Sequence, residues 1–280
     1  MTGPLSALPT DDKTKKKMPM TYDVTRIASH RGGTLEFGDS TPQGFRATAA
    51  MALEEVEFDL HPTADGAIMV HHDATLDRTT DATGAIRDLT EAQVRAATID
   101  YGAGGHPISL AELCEIYRES HVSFRCELKP GPGGLAYPGF APRVVAELER
   151  RGMLHRTGFS SFLIETVDAL QAASDRPCLW LVSPPVLTQL GAAGVLEVCA
   201  MHGIAEIGVN IDTATCALRD RVRAAGVDFG CWGAHEAAQI DRALEMGVKV
   251  FTTDRPSLAI ARRAAHQSTR QTARQTEAET

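Results

Sequence analysis

The fold is decided by residues 216–253, which read CALRDRVRAAGVDFGCWGAHEAAQIDRALEMGVKVFTT. A helical stretch, Cys216–Ala225, ends in a glycine and leads into the strand-like run Asp228–Trp232. A second helical stretch, Glu236–Met246, also ends in a glycine and leads into Lys249–Thr253. Glycine is common just past a helix C-terminus because it adopts the left-handed conformation at little cost. Repetition of helix, glycine and strand predicts a parallel sheet covered by helices.

The same alternation extends over most of the chain. The predicted strands are Arg26–His30, Val56–His61, Phe124–Lys129, Thr157–Ser161, Cys178–Val182, Glu206–Asn210, Asp228–Trp232 and Lys249–Thr253. Eight such units in about 240 residues predict a closed TIM (β/α)8 barrel. An open doubly wound sheet is the alternative fold. Against it, the first strand–helix turn has no Gly-x-Gly-x-x-Gly fingerprint.

We predict a single domain at residues 21–264, with a rim insertion at about 62–121 between strands 2 and 3. The insertion contains a strand-like piece, Ala67–His72, and the helical stretch Leu110–Glu119. Insertions of this size at the carboxyl-end rim of a barrel usually carry function. Polar composition without apolar periodicity predicts that residues 1–20, which are basic, and residues 265–280 are disordered tails.

Composition limits the classes of partner. The chain has 28 Lys+Arg against 36 Asp+Glu, a net charge of −8, and only 5% aromatic residues. This acidity and the scarcity of aromatic residues argue against a nucleic-acid partner. No apolar run approaches the ~20 residues of a spanning helix, so we expect no stable membrane insertion. Six scattered cysteines without metal-ligand spacing predict reduced thiols and a cytoplasmic location. A homo-oligomer is compatible with the exposed helices.

Polar residues alternate with apolar ones along the second and third predicted strands. The second strand reads EVEFDLH, so Glu57, Asp59 and His61 share its inward face. Glu127 and Lys129 alternate in the same way on the third strand. Carboxylates inside a barrel are costly unless they are paired or bind a cation. Three carboxylates on neighbouring strands therefore predict a site for one hard divalent cation, Mg²⁺ or Ca²⁺.

The alternative for these carboxylates is a buried ion-pair cluster neutralised by Arg31 and Lys129. Histidines favour the catalytic interpretation. His30 ends the first strand, and His71 and His72 lie in the insertion. Beside a cation, such residues suit paired general acid and base roles. Arg31 and Lys129 suit an anionic, phosphate-bearing ligand. The residues thus predict metal-assisted acid–base chemistry on a phosphate ester.

Short motifs follow one another in a fixed order. They are His30-Arg31-Gly32, Glu57-Phe58-Asp59, Thr63-Ala64-Asp65-Gly66, Val70-His71-His72-Asp73, Leu76-Asp77-Arg78-Thr79-Thr80, Glu127-Leu128-Lys129-Pro130, Ser160-Ser161-Phe162, Trp232 and Thr253-Asp254-Arg255-Pro256. Any one of them is a weak signal, but the ordered set is specific. The chain resembles the glycerophosphodiester phosphodiesterase family over roughly residues 25–262.

The resemblance implies a TIM barrel with an inserted rim segment. It implies hydrolysis of glycerophosphodiesters to glycerol 3-phosphate and an alcohol, in phospholipid headgroup turnover or phosphate scavenging. It also implies a divalent cation on Glu57, Asp59 and Glu127.

The resemblance further implies an acid–base pair, His30 and His72, with Arg31 stabilising charge on the phosphoryl oxygens. His72 is preferred to His71 because it directly precedes Asp73, as in the family motif. In the family's scheme, a hydroxyl adjacent to the ester attacks phosphorus and displaces the alcohol. Water then opens the cyclic phosphate.

One motif departs from the family. Gly38-Asp39-Ser40-Thr41 stands where the family has Pro-Glu-Asn-Thr, so the carboxylate is one methylene shorter and the amide donors are lost. We expect Trp232 and His61 to contact the substrate, and for His61 the alternatives are a role in supporting such a contact and a purely structural role. His235 lies where the family often has a Thr-Val-Asn-like stretch, so it is another position at which we expect specificity to differ.

These departures motivate alternative functions. One is the same chemistry on a sugar phosphodiester of the opine type or on a lysophospholipid, although no apolar groove or membrane anchor for the latter is evident in the sequence. A non-catalytic barrel that binds a phosphate ligand is a third interpretation. The paired histidines weigh against it.

Overall fold

A computed structural model describes residue 22 and residues 24–278. Its centre is a closed barrel of eight parallel strands, which confirms the predicted TIM barrel. The strands are β1 (Arg26–His30), β2 (Glu55–Pro62), β3 (Ile68–Val70), β4 (Ser123–Leu128), β5 (Thr157–Ser161), β6 (Cys178–Val182), β7 (Glu206–Asn210), β8 (Asp228–Trp232) and β9 (Val250–Thr253). Around the barrel they run in the order β1, β2, β4, β5, β6, β7, β8 and β9, and β9 pairs with β1. The short β3 pairs antiparallel with β2 outside the barrel.

Helices surround the barrel. They are α1 (Thr34–Phe37), α2 (Pro42–Ala49), α3 (Glu91–Ala96), α4 (Leu110–Tyr117), α5 (Phe140–Arg150), α6 (Ile164–Ala173), α7 (Pro184–Met201), α8 (Cys216–Ala224), α9 (Ala237–Met246) and α10 (Pro256–Ala278). Several helices begin at a capping side chain that accepts a backbone N–H of the first turn, as Thr41 does for α2 and Thr215 does for α8. The predicted glycine ends are present too. Gly226 and Gly247 follow α8 and α9 in the left-handed region, with φ of 79° and 61°.

The alternating pattern of β2 determines what lies on each side of the barrel wall. Val56, Phe58 and Leu60 are buried between the barrel and the helices. Glu57 and Asp59 lie on the other face of β2, level with His30 on β1 and Glu127 on β4 respectively. The register therefore places polar side chains from three neighbouring strands near the carboxyl ends of those strands.

The rim insertion is an ordered part of the domain. The predicted strand-like piece forms β3, and the predicted helix forms α4. A small core of its own stabilises the segment; its members are Met69, Leu76, Ile86, Val94 and Ala97. The insertion therefore provides a packed base for the histidines that follow β3.

Charges at the opposite, N-terminal end of the barrel are closely paired. Arg125 donates from Nε to Glu55 at 2.5 Å and lies 3.3 Å from Glu206. Arg26 lies 3.0 Å from the second oxygen of Glu55, and Lys249 pairs with Glu206. Glu55 and Glu206 each have a cationic partner, so we infer that this network stabilises the barrel and takes no part in the chemistry.

The C-terminal prediction is wrong over most of its length. Residues 265–280 were expected to be disordered, but α10 continues to Ala278. The segment lacks an apolar stripe, yet its Arg, Gln, Ala and Glu residues have high helix propensity. Ser268 and Thr269 also donate to the carbonyl groups four residues earlier. The predicted N-terminal tail, residues 1–20, lies outside the described residues.

Helix α7 is unusually apolar for a barrel helix. It is the one helix in the described part of the chain that is long and apolar enough to cross a membrane, judged by length and composition alone. Only Val195 and Cys199 are buried in it. Gly191, with φ 61° and ψ 175°, divides it into two helical segments. The backbone therefore changes direction within α7.

Candidate active site

Three buried carboxylates form the centre of the site. Glu57, Asp59 and Glu127 each offer an oxygen within 4.8 Å of the others. Lys129 Nζ lies 2.9 Å from Glu127 and 3.4 Å from Asp59, and Arg31 Nε lies 3.1 Å from Asp59. Among the described residues, neither oxygen of Glu57 has a hydrogen-bond partner. Two cations therefore face three carboxylates, and one carboxylate is left without compensation.

The pKa values reflect this excess of negative charge. Burial, reinforced by Asp59 and Glu127, raises the pKa of Glu57 well above its usual value. Burial likewise raises the pKa of Glu127 to about 7. For Asp59, Lys129 and Arg31 outweigh burial and lower the pKa. The oxygen-only donor set with its orphaned carboxylate fits a hard divalent cation better than a complete ion-pair cluster.

His30 is positioned by the last strand of the barrel. Its Nδ1 lies 2.5 Å from Oδ1 of Asp254, just after β9, and its Nε2 lies 3.8 Å from Glu57. Because His30 lowers the pKa of Asp254 against the effect of burial, this carboxylate accepts the Nδ1 proton. Nε2 is then the nitrogen free to exchange a proton with a ligand.

His235 also contacts Asp254, but through the backbone of that residue. The backbone N–H of Asp254 donates to His235 Nδ1 at 3.0 Å, which leaves the proton of the neutral ring on Nε2. The His30 and His235 rings are 5.7 Å apart, and both line the same cavity. His235 therefore lies in the site, as its departure from the family motif suggested.

His72 is held in the same way as His30. Its Nδ1 lies 2.5 Å from Oδ1 of Asp73, and Arg78 Nε donates to the second oxygen of Asp73 at 2.5 Å. Its neighbour His71 is buried and donates from Nε2 to the carbonyl group of Thr75 at 3.2 Å. The structure thus places His72, and not His71, in the cavity wall.

Burial lowers the pKa values of His30 and His72, the two histidines whose Nδ1 faces a carboxylate. Nearby Arg31 adds to the effect in each case. Neutral imidazoles with one nitrogen fixed by a carboxylate suit proton transfer at the other nitrogen.

Arg31 is fixed between two acids at the end of β1. Its Nη1 donates to Asp39 at 2.9 Å, and Arg78 Nη2 donates to the same oxygen at 3.1 Å. Arg31 and Ser40 are the non-glycine residues with positive φ in the described part, at 50° and 57°. Such backbone is strained and clusters at functional sites. The segment Gly38-Asp39-Ser40, which departs from the family motif, therefore holds the Arg31 side chain in place through Asp39. It lies outside the carboxylate cluster.

The position of His61 agrees with the alternative of a supporting role and not with a substrate contact. His61 is fully buried behind the cavity wall. Its Nε2 donates to the carbonyl group of His72 at 3.1 Å, and its Nδ1 lies 2.9 Å from the Tyr137 hydroxyl. The residue was misplaced because β2 continues to Pro62, beyond the point where its inward face meets the cavity. His61 instead supports the backbone of His72.

A cavity of about 350 Å³ opens above the carboxylates. Arg31, Lys129 and Trp232 line it, as predicted. Trp232 packs edge-to-face on Phe162 with ring centroids 5.7 Å apart. Its indole N–H is buried without a hydrogen-bond partner among the described residues, so it can donate to a ligand.

Two features of this site were missed in the sequence. Asp254 was quoted only as part of a motif, although it orients His30. Its position directly after a barrel strand could have marked Asp254 as a site residue. The Asp39–Arg78 contact had no comparable signal because it joins the insertion to the first strand–helix connection.

Known proteins that resemble this chain include phosphodiesterases. The family sequence model described as "Glycerophosphoryl diester phosphodiesterase family" matches residues 30–258. A "Glycerophosphodiester phosphodiesterase" of Caldanaerobacter subterraneus subsp. tengcongensis is 28% identical over 143 residues, which cover 49% of this chain. The matched part spans 58% of that curated relative.

Solved structures match over more of the chain. A protein of Agrobacterium tumefaciens, provisionally named glycerophosphoryl diester phosphodiesterase, is 66% identical with a TM-score of 0.87, covering 88% of this chain and 99% of that one. A phosphodiesterase of Oleispira antarctica, solved with its product sn-glycerol-3-phosphate, has a TM-score of 0.71 at 18% identity, covering 85% and 96% of the two chains. The latter likeness concerns the fold alone.

Proposed function

The chain belongs to the glycerophosphoryl diester phosphodiesterase family, and we propose that it hydrolyses glycerophosphodiesters to glycerol 3-phosphate and an alcohol. One observation carries the proposal. Three buried carboxylates, one of which pairs with no Arg or Lys among the described residues, lie beside two histidines that each present a free nitrogen. The product bound to the Oleispira antarctica phosphodiesterase, sn-glycerol-3-phosphate, is the phosphate product that the proposed reaction would release.

Glu57, Asp59 and Glu127 are the residues that we propose hold one divalent cation, Mg²⁺ or Ca²⁺. When bound, the cation would offset charge on the phosphoryl oxygens. It would also compensate the carboxylate that Arg31 and Lys129 leave unbalanced. Both cations are satisfied by oxygen ligands of this kind.

His30 and His72 move the protons in the proposed mechanism. In the scheme that the resemblance implies, one histidine takes the proton of the attacking hydroxyl and the other protonates the departing alcohol. Their roles reverse when water opens the cyclic phosphate. Asp254 and Asp73 keep Nδ1 protonated, so Nε2 is the exchanging atom in both rings.

Arg31 and Lys129 bind the phosphate. Arg31 is held by Asp39 and Asp59 before any ligand arrives, so little side-chain entropy is lost on binding. We further propose that the protein works in the cytoplasm on products of phospholipid turnover. A homo-oligomer and the absence of nucleic-acid and membrane partners stay predictions.

A panel of diesters tests the function. Purified protein is assayed with glycerophosphocholine, glycerophosphoethanolamine and a sugar phosphodiester, each with Mg²⁺, Ca²⁺ or EDTA, and the phosphomonoester that each diester releases is measured. We expect cation-dependent release from the glycerophosphodiesters. Cleavage of the sugar diester alone would favour the opine-type alternative. Binding of glycerol 3-phosphate without turnover of any diester would favour the non-catalytic barrel.

A further inference from the structure

A second group of metal-ligating side chains lies beside the carboxylate cluster. His30, His235 and Asp254 each offer a nitrogen or oxygen atom within 4.8 Å of the others. His30 ends β1, His235 follows β8, and Asp254 follows β9 directly. Because β8, β9 and β1 are neighbours in the barrel, its closure brings the three residues together. Of the two such groups among the described residues, this is the one that contains nitrogen atoms.

Two atoms of this group face each other without a hydrogen atom between them. Nδ1 of His235 accepts the backbone N–H of Asp254 at 3.0 Å, so in the neutral ring it carries a lone pair and no proton. The same nitrogen lies 3.2 Å from Oδ2 of the Asp254 carboxylate, which is also an acceptor. Two such atoms repel each other at this distance unless a positive charge lies between them. The contact therefore favours a bound cation.

The ligand types in this group suit a different class of metal from the carboxylate cluster. Imidazole nitrogen is a good ligand for Zn²⁺, Co²⁺ and Ni²⁺, whereas Mg²⁺ and Ca²⁺ prefer oxygen ligands. Two imidazoles and one carboxylate are also a known set of protein ligands for zinc, with a further position left for water. Both imidazoles line the cavity, so an ion could reach them from solvent. The cavity thus offers two neighbouring sites with different metal preferences.

A metal ion in this second site would change the protonation of His30. Without it, Asp254 holds the proton on Nδ1 of His30 and leaves a lone pair on Nε2. A metal ion on Nδ1 takes the place of that proton, which the neutral ring then carries on Nε2. In that form Nε2 cannot accept a proton, although the proposed reaction requires it to do so in one of the two steps.

We propose that His30, His235 and Asp254 bind a transition-metal ion of the zinc class, and that this ion inhibits the enzyme by occupying Nδ1 of His30. The inhibition rests on the proposed function, whereas binding of the ion does not. His235 is the member that this chain adds, because it lies in Gly233-Ala234-His235, where the family often has a Thr-Val-Asn-like stretch. An asparagine there offers an amide oxygen, which suits zinc less well than imidazole does.

Zinc binding is measured on the full chain, purified without a histidine tag and with Mg²⁺ in excess to occupy the carboxylate cluster. Calorimetric titration should give one Zn²⁺ per chain, and X-ray absorption at the zinc edge should show two imidazole ligands. His235→Asn should weaken binding by at least about 10- to 100-fold, the loss that follows removal of an outer-shell partner alone.

His202→Asn is the matched control for binding. Nδ1 of His202 also lies 2.9 Å from a carboxylate, that of Asp168, but the pair belongs to no three-ligand group among the described residues. This variant should bind Zn²⁺ as tightly as wild type. X-ray absorption of the wild-type protein decides the ligand assignment if thermal melts show that His235→Asn does not fold.

Inhibition is measured as the ratio of glycerophosphocholine turnover with and without Zn²⁺, at saturating Mg²⁺. In wild type the ratio should fall in proportion to zinc occupancy, and His235→Asn should keep a ratio near one at the same zinc concentration. Zinc with oxygen ligands alone, inhibition that further Mg²⁺ relieves, or equal inhibition in His235→Asn would overturn the proposal. If Zn²⁺ binds through two imidazoles but Mg²⁺ alone supports no turnover, the proposed function fails and the metal site stands.

Discussion

Nδ1 of His30 lies 2.5 Å from Oδ1 of Asp254, although 224 positions separate the two residues in the chain. The contact exists because β1 and β9 are neighbours in the closed barrel, where Ser29 is level with Thr253. The first strand supplies the imidazole, and the end of the last strand supplies the carboxylate that orients it. Orientation of one histidine of the site thus depends on closure of the barrel.

Asp254→Asn should impair turnover more than binding. The amide can no longer hold the Nδ1 proton as a carboxylate does, so His30 loses its preferred tautomer. We expect kcat to fall by about 10- to 100-fold, less than the 10²–10⁴-fold expected for loss of a general acid or base. KM should stay within about twofold. Steady-state kinetics check this, with the exposed Asp220→Asn as the matched control. Unchanged kcat would show that Asp254 does not act through His30.

Adjacent histidines allow a direct comparison. His72→Gln should lower kcat by about 10²–10⁴-fold because it removes a proton-transfer group from the cavity. His71→Gln should retain most of kcat, since His71 only donates to the carbonyl group of Thr75 and glutamine can also donate there. Both variants are assayed on glycerophosphocholine after thermal melts confirm folding. A larger loss in His71→Gln would reverse the assignment.

Cation binding should stabilise the fold through Glu57. At a concentration of about 100 Kd, Mg²⁺ or Ca²⁺ should add about 2.7 kcal/mol to the free energy of unfolding. In a domain of this size that raises the melting temperature by roughly 5–10 °C. Differential scanning calorimetry with and without EDTA measures the shift.

Glu57→Gln separates this effect from simple charge screening. Glutamine relieves the repulsion that raises the pKa of Glu57, so the variant in EDTA should melt no lower than wild type. The rise in the melting temperature of this variant on adding the cation should be smaller than that of wild type. A cation shift of full size in Glu57→Gln would contradict the ligand assignment.

The sequence predicted the strands well because alternation and terminal glycines are local signals. Glu57, Asp59 and Glu127 could be brought together from sequence since two neighbouring strands share one register. His61 was misplaced because periodicity gives a face of a strand and not the depth along the barrel. The helix through residues 265–278 was missed because it rests on propensity without an apolar stripe.

Side-chain contacts between residues far apart in the chain were also not predicted from the sequence. The contact between His30 and Asp254 needs ring closure, and the pairing of Arg125 with Glu206 needs side chains from strands three places apart.

Arg125→Met should destabilise the barrel strongly. Removing Arg125 leaves Glu55 and Glu206 buried with weaker compensation, and breaking such a buried pair costs about 3–5 kcal/mol of unfolding free energy. Arg118→Met is the surface control, because Arg118 pairs with exposed Glu115 and should cost less than about 1 kcal/mol. Urea unfolding of both variants measures the difference. Similar losses in the two would mean that the interior network is not structural.

Phosphorus NMR of glycerophosphocholine hydrolysis tests the central claim most directly. The protein is stripped of metal, then supplied with Mg²⁺ or Ca²⁺, and the ³¹P signal of the diester is followed. We expect it to be replaced by that of glycerol 3-phosphate only with the cation present, and to persist with Glu57→Gln. Persistence of the diester signal with every divalent cation, or equal turnover in EDTA, would contradict the account.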